Sequence, residues 1–172
     1  MSTRAQPPDF SQRCMACFFP RASCICAQLQ RVRTGSEWLI VRHALEVWKT
    51  TNTGRWAHLV LERSRLLEHG GKQPLSWPEG ALGEGTYLLY PGPMPPDFRP
   101  EQVQRVIVLD GTWTQARRMT QRLPELWKLP RLSLEVDPAQ AEQPRHRKVP
   151  IEGGLSTIEA MALALRKLGE EG

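Results

Sequence analysis

The chain has 172 residues, 40% of them apolar, which is enough for one domain with a core and excludes a chain too polar to fold. No run approaches about eighteen uninterrupted apolar residues, so a membrane span is not expected. Met1 to Arg13 shows no apolar leader, which makes the cytoplasm the expected compartment. The net charge of +5 favours a polyanionic partner, nucleic acid first.

Residues 1–13 are polar, with adjacent prolines at Pro7 and Pro8, and are expected to be disordered at the start. Residues 14–30 contain all four cysteines, in the pattern Cys14-x2-Cys17-x6-Cys24-x-Cys26. In a reducing compartment such a cluster argues against disulfides. Four thiolates this close can close a tetrahedral Zn2+ site, with no open position for catalysis. A redox CxxC or an iron–sulfur cluster is the competing reading. The remainder, 31–172, reads as the main domain.

Trp38-Leu39-Ile40-Val41 is a short apolar run that predicts a buried strand, followed by a loop at Arg42-His43. Ala57, Val60 and Leu61 have helical spacing, so a helix is expected to begin near Asn52-Thr53-Gly54-Arg55. Arg42, His43, Glu46, Lys49, Asn52, Thr53 and Arg55 crowd into fourteen residues. Arg and Lys can hold phosphates, and Asn and Thr can bond to backbone or base edges. The same residues also suit a solvated loop with Asn52 or Thr53 capping the helix.

Residues 70–85 are rich in Gly and Pro and read as a connection. Thr86 to Tyr90 predicts a second strand, ended by the proline-rich run Pro91 to Pro96. Val106 to Leu109 predicts the clearest strand, ended by Asp110-Gly111. A helix then runs from Thr112 or Thr114 towards Leu123, where Pro124 stops it. Arg131 to Val136 is a further strand candidate. A second basic run, Arg145-His146-Arg147-Lys148, precedes the last helix. That helix starts at a capping box, Ser156 with Glu159, carries a stripe of Ile158, Met161, Ala162, Leu165 and Leu168, and ends at Gly169.

Strands alternating with helices predict an α/β domain with a mostly parallel sheet, whose ligands bind beyond the carboxyl ends of the strands. Two features sit at such ends: Tyr90-Pro91-Gly92 and Asp110-Gly111-Thr112-Trp113. A carboxylate beside an indole suits a site in which Trp113 holds a base and Asp110 handles a proton. A structural turn with a core Trp explains the same residues.

Several of these motifs together resemble the DTW-domain proteins, the tRNA-uridine aminocarboxypropyltransferase family. The resemblance runs from Cys14 to about Leu168. It includes the cysteine cluster, Arg42-His43-x2-Glu46-x2-Lys49-x2-Asn52-Thr53-Gly54-Arg55, Leu88-Leu89-Tyr90-Pro91, Asp110-Gly111-Thr112-Trp113-x2-Ala116-Arg117 and Ser156-Thr157-x-Glu159-Ala160. It implies a SPOUT-like α/β fold with a C-terminal trefoil knot, plus a small N-terminal zinc knuckle. It implies transfer of the 3-amino-3-carboxypropyl group of S-adenosylmethionine to N3 of a tRNA uridine, releasing 5′-methylthioadenosine, with no DNA partner and a monomer or homodimer. An RNA methyltransferase and a non-catalytic zinc-bearing RNA-binding module are the alternatives.

On this resemblance Asp110 is the candidate base for the uridine N3 proton. Leu89, Tyr90, Pro91, Gly92, Thr112, Trp113, Ser156 and Thr157 form the expected S-adenosylmethionine loops. Arg42, His43, Lys49, Asn52, Thr53, Arg55, Arg117 and Arg147 are the expected substrate residues, holding either tRNA phosphate or the carboxylate of S-adenosylmethionine.

Overall fold

The computed structural model describes residues 6–134 and 155–170. Five strands, β1 (Glu37–His43), β2 (Ser64–His69), β3 (Thr86–Leu89), β4 (Arg105–Asp110) and β5 (Arg131–Leu132), form one sheet in the order β2-β1-β4-β3-β5. Every pairing in it is parallel. The helices are α1 (Thr53–Val60), α2 (Trp113–Arg122) and α3 (Thr157–Lys167). No helix among the described residues is long and apolar enough to cross a membrane.

Strand alternation sorts the core into two layers. Trp38, Ile40, Leu89, Val106 and Val108 face α1 and α3, against Ala57, Leu61, Met161, Ala164 and Leu168. Leu39, Val41, Leu88, Ile107 and Leu109 face α2, against Ala116, Met119, Leu123 and Leu126. The three central strands are therefore apolar on both sides, as a covered parallel sheet requires. Each Leu or Ile fully withdrawn from water contributes about 1.5–3 kcal/mol.

The connections differ in kind. β1 reaches its parallel neighbour β2 through α1, the usual crossover, whereas β4 reaches β5 through α2 by passing over β3, with which β5 pairs. β3 reaches β4 with only a 3-10 turn, Pro100–Gln102, on the way. The prolines of this segment forbid a helix. Met94 and Phe98 cover the α1/α3 layer instead, and the Phe98 ring meets Tyr87 edge-on at 5.6 Å. Residues 70–85 cross the opposite layer, where Leu75, Trp77, Ala81 and Leu82 pack.

Four expectations need correction. Arg42 and His43 belong to β1, because β2 and β4 both extend the pairing: Arg42 is in register with Glu68 and Asp110, and His43 with His69. β2 was not anticipated, since an edge strand reading Ser-Arg-Leu-Leu-Glu-His carries too little apolar signal. β5 is only two residues long, and 135–136 of the expected strand lie outside the described residues. In α3, Ala162 is exposed while Ala164 is fully buried, because position 164 sits between the rows of Met161 and Leu168 on the inward side. The expected knot falls on the connection from β5 to α3, of which 135–154 lie outside the described residues.

Candidate functional site

Because all strands run the same way, the ends of β1, β3 and β4 meet at one edge, together with the first turns of α1, α2 and α3. Two polar groupings occupy that edge, one on each face of the sheet.

The first grouping surrounds Asp110, the last residue of β4, which is 2% exposed. The side-chain amide of Asn52 donates to Asp110 Oδ2 at 2.6 Å, and the Thr157 hydroxyl donates to Oδ1 at 2.7 Å. Both partners are helix-start residues. Asn52 caps α1, its Oδ1 accepting from the Arg55 N–H at 2.9 Å. Thr157 opens α3 immediately after Ser156, whose capping box with Glu159 forms as expected. A Cβ on Gly54 would lie 2.4 Å from Asp110 Cγ, so only glycine lets the first turn of α1 close on the carboxylate.

Burial pushes the Asp110 carboxyl above the ordinary aspartate range. The bonds from Asn52 and Thr157 and the nearby Arg42 charge oppose that rise without cancelling it. Arg42 lies beside Asp110 in register on the same face. Burial lowers its pKa, against Asp110, Glu68 and Glu46. Its Nε and Nη1 are buried and have no hydrogen-bond partner among the described residues. Lys49 is spent on Glu46 at 2.6 Å. Thr53 is the first residue of α1.

Arg55 has a different task. Its guanidinium lies 3.5 Å over the Phe18 ring and donates to the Val47 carbonyl. Burial, and secondarily Arg42, lower its pKa to about 10. It therefore ties the site to the cysteine segment.

The second grouping lies on the α2 face. His43 points there, its Nδ1 accepting from the Leu45 N–H at 3.1 Å. That bond assigns the neutral ring proton to Nε2, leaving no free basic nitrogen. Burial is the main reason its pKa is lowered, with Glu46 opposing. Thr112 caps α2 in a second capping box with Gln115. Trp113 is 39% exposed, with its ring centroid 6.2 Å from that of Tyr90. Pro91, Gly92 and Arg117 are exposed at the same edge, whereas Leu89 belongs to the core. Arg147 and its basic run lie outside the described residues.

The edge thus brings Asp110, Asn52, Thr157, Arg42 and Arg55 together, and Tyr90 with Trp113. It does not place the carboxylate beside the indole. Asp110 turns inward between α1 and α3, while Trp113 stands on the α2 side. Sequence reading passed over buried Glu46 as a partner for Lys49 and passed over Arg131 beside Tyr90. The three-residue spacing of Glu46 and Lys49 was the available signal for the first.

The four cysteine sulfurs lie within 4.8 Å of one another. The Cys14–Cys26 and Cys17–Cys24 separations are 3.7 and 3.8 Å. This matches the edge of a tetrahedron with metal–sulfur bonds of about 2.3 Å, roughly 3.8 Å, and is far too long for a disulfide. Backbone N–H groups of Cys17 and Ala16 hold the Cys14 thiol down to about 6, while burial and the other cysteines push Cys26 up to about 12. Four sulfurs this close cannot all ionise without a cation to offset their charge, and these residues could hold a metal ion that would keep them as thiolates. Phe18, at φ 64°, and Phe19 then dock the segment on the main domain. Phe18 stacks on Trp48, Phe19 stacks on Trp56, and the Trp56 indole donates to the Cys17 carbonyl at 3.1 Å. Phe10 joins the same aromatic group, 5.2 Å from Phe18.

The family model described as DTW domain matches residues 11–172. A curated relative, tRNA-uridine aminocarboxypropyltransferase 2 of Drosophila melanogaster, is 27% identical over 176 residues, covering 95% of this chain and 69% of its own length. No solved structure matches.

Proposed function

The chain belongs to the DTW-domain family, and on that premise we propose that it transfers the 3-amino-3-carboxypropyl group of S-adenosylmethionine to N3 of a tRNA uridine. The observation that carries the proposal is the meeting at Asp110 of three motifs far apart in sequence. Asn52 and Gly54, Asp110 itself, and Thr157 form one contact at the carboxyl edge of a parallel sheet. Ligands of open α/β sheets bind at this edge. The proposed fold is SPOUT-like, with a knotted C-terminal segment, a catalytic body of 31–172 and a structural Zn2+ held by Cys14, Cys17, Cys24 and Cys26. As an enzyme of tRNA, it would work in the cytoplasm.

In this reading N3 of the uridine attacks the carbon next to the sulfonium. The carbon–sulfur bond breaks, its electron pair leaves with 5′-methylthioadenosine, and the N3 proton must be taken up. Holding two partners in line supplies much of the acceleration. S-adenosylmethionine would lie across the loops at Tyr90-Pro91-Gly92, Thr112-Trp113 and Ser156-Thr157. Arg42 is suited to its carboxylate, since two of its N–H groups are buried and unpartnered among the described residues. Arg117 and Arg147 are left for tRNA phosphates.

Each Asp110 oxygen accepts one bond and keeps a second lone pair, but the carboxylate is 2% exposed, so it takes the proton only if Thr157 or Asn52 moves aside and lets the substrate reach it. Thr157 is the more readily released, because a hydroxyl can rotate toward the substrate, whereas Asn52 is also bound to the α1 backbone. If the carboxylate stays clamped, it positions the loops and the proton leaves by water. The test is incubation of the full chain with S-adenosylmethionine and unmodified tRNA, followed by assay of 5′-methylthioadenosine and mass analysis of the RNA. Uridine gaining the aminocarboxypropyl mass supports the proposal. A gained methyl group with S-adenosylhomocysteine, or no turnover, overturns it.

A further inference from the structure

On the α2 face, a row of flat side chains continues outward from Tyr90, beyond the loops assigned above. The Arg131 guanidinium lies 5.5 Å from the Tyr90 ring centroid and 5.6 Å from that of Trp127. Trp127 is 60% exposed, and Trp113 closes the inner end of the row against Tyr90. Gly92 lets the stem of Arg131 lie close to the loop, since a Cβ there would be 3.2 Å from Arg131 Cγ. Arg131 Nη1 is buried, with no hydrogen-bond partner among the described residues.

The core does not account for this row. An indole as exposed as Trp127 contributes little to folding, and a guanidinium held between two rings is half desolvated without an anion. Both features gain from a ligand that is flat on one side and anionic on the other. The surroundings have the matching charge. Helix α2 carries Arg117, Arg118 and Arg122, all exposed, and no acidic residue, and Lys128 is exposed next to Trp127. Aromatic faces interleaved with cations are the means by which proteins hold unpaired nucleotides.

We infer that Arg131 and Trp127 form an outer shelf that stacks an unpaired nucleotide of the RNA substrate, next to the nucleotide presented at the site. The inference rests on the RNA-modifying reading above and adds to it where the strand leaves the site. It makes Arg131 and Trp127 binding residues and gives them no part in the bond-breaking step.

The test measures binding of a short single-stranded uridine-containing RNA to the full chain at low salt, with S-adenosylmethionine affinity and melting temperature measured alongside. Trp127→Ala and Arg131→Ala should each weaken RNA binding about tenfold, as loss of a stacked base does. Trp127→Phe should retain most of the affinity, and Arg131→Lys should recover only part, because its charge remains and its plane is lost. Heparin, an anion without bases, should bind wild type and Trp127→Ala equally. Unchanged RNA binding by both alanine variants overturns the shelf and leaves the proposed function standing. Loss of S-adenosylmethionine affinity instead of RNA affinity assigns the row to the co-substrate and also overturns it. If wild type binds no RNA, the shelf and the RNA-modifying reading fall together.

Discussion

The two faces of the carboxyl edge use their polar groups in opposite ways. Around Asp110 the carboxylate oxygens are already satisfied by protein, and a glycine is needed for the pieces to fit. Along Tyr90, Arg131 and Trp127 the outer ring is open to solvent, and Arg131 Nη1 has no hydrogen-bond partner among the described residues. The closed grouping holds the starts of two helices, α1 and α3, in place, and changes to it are felt through geometry. The open grouping waits for something outside the chain, and changes to it are felt through binding. Strain and unsatisfied buried groups are expensive, whereas an exposed ring can be removed at little cost to stability.

The sharpest way to break the contrast is Gly54→Ala. Its methyl collides with Asp110, so transfer should fall at least about a hundredfold and stability by about 1–3 kcal/mol, read by 5′-methylthioadenosine release and thermal unfolding. Near-normal turnover would mean that the clamp is dispensable.

Asp110→Asn comes next. The amide can still accept from Asn52 and meet the Thr157 hydroxyl, so the fold and S-adenosylmethionine binding should persist while transfer falls by about a hundredfold or more. The pH profile then separates the two uses of the carboxylate. Burial raises its pKa, so a base role predicts a rate that climbs with pH through a midpoint above the ordinary aspartate range and an acid limb that disappears in the variant. A purely positioning carboxylate predicts no such limb belonging to Asp110.

Metal removal tests how far the closed grouping depends on the cysteine segment. Phe18 carries the Arg55 guanidinium, and Arg55 follows Asn52 on α1. Chelation should therefore lower the melting temperature and change the fluorescence of Trp48 and Trp56. Metal analysis of the purified protein should find one ion per chain. The smallest effect is expected from Arg117→Ala on the open face, with tRNA affinity reduced for all sequences and the slope of log affinity against log salt shallower by about 1. An unchanged slope would remove Arg117 from phosphate contact.

Much of the frame was legible because local signals agreed with burial. β4 reads as an apolar run ending in Asp-Gly, and α3 announces itself by its capping box. The cysteine spacing alone marked a compact four-sulfur cluster. β2 was illegible because it is an edge strand with Arg65 and Glu68 exposed, and the extension of β1 depends on its neighbours, β2 and β4 at Arg42 and β2 at His43. Arg131 carried no signal, since its value lies in rings supplied by Tyr90 and Trp127.

By itself the sequence determined the central strands β1, β3 and β4, where the three helices start, and which residue types are available at the carboxyl edge. These depend on periodicity, caps and turn residues acting over a few positions. Only the tertiary structure decided that Asp110 and Trp113, three residues apart, serve opposite faces. The partners of Asp110 arrive from 58 residues before it and 47 after it, and only the packing of α1 and α3 onto one side of the sheet brings them there.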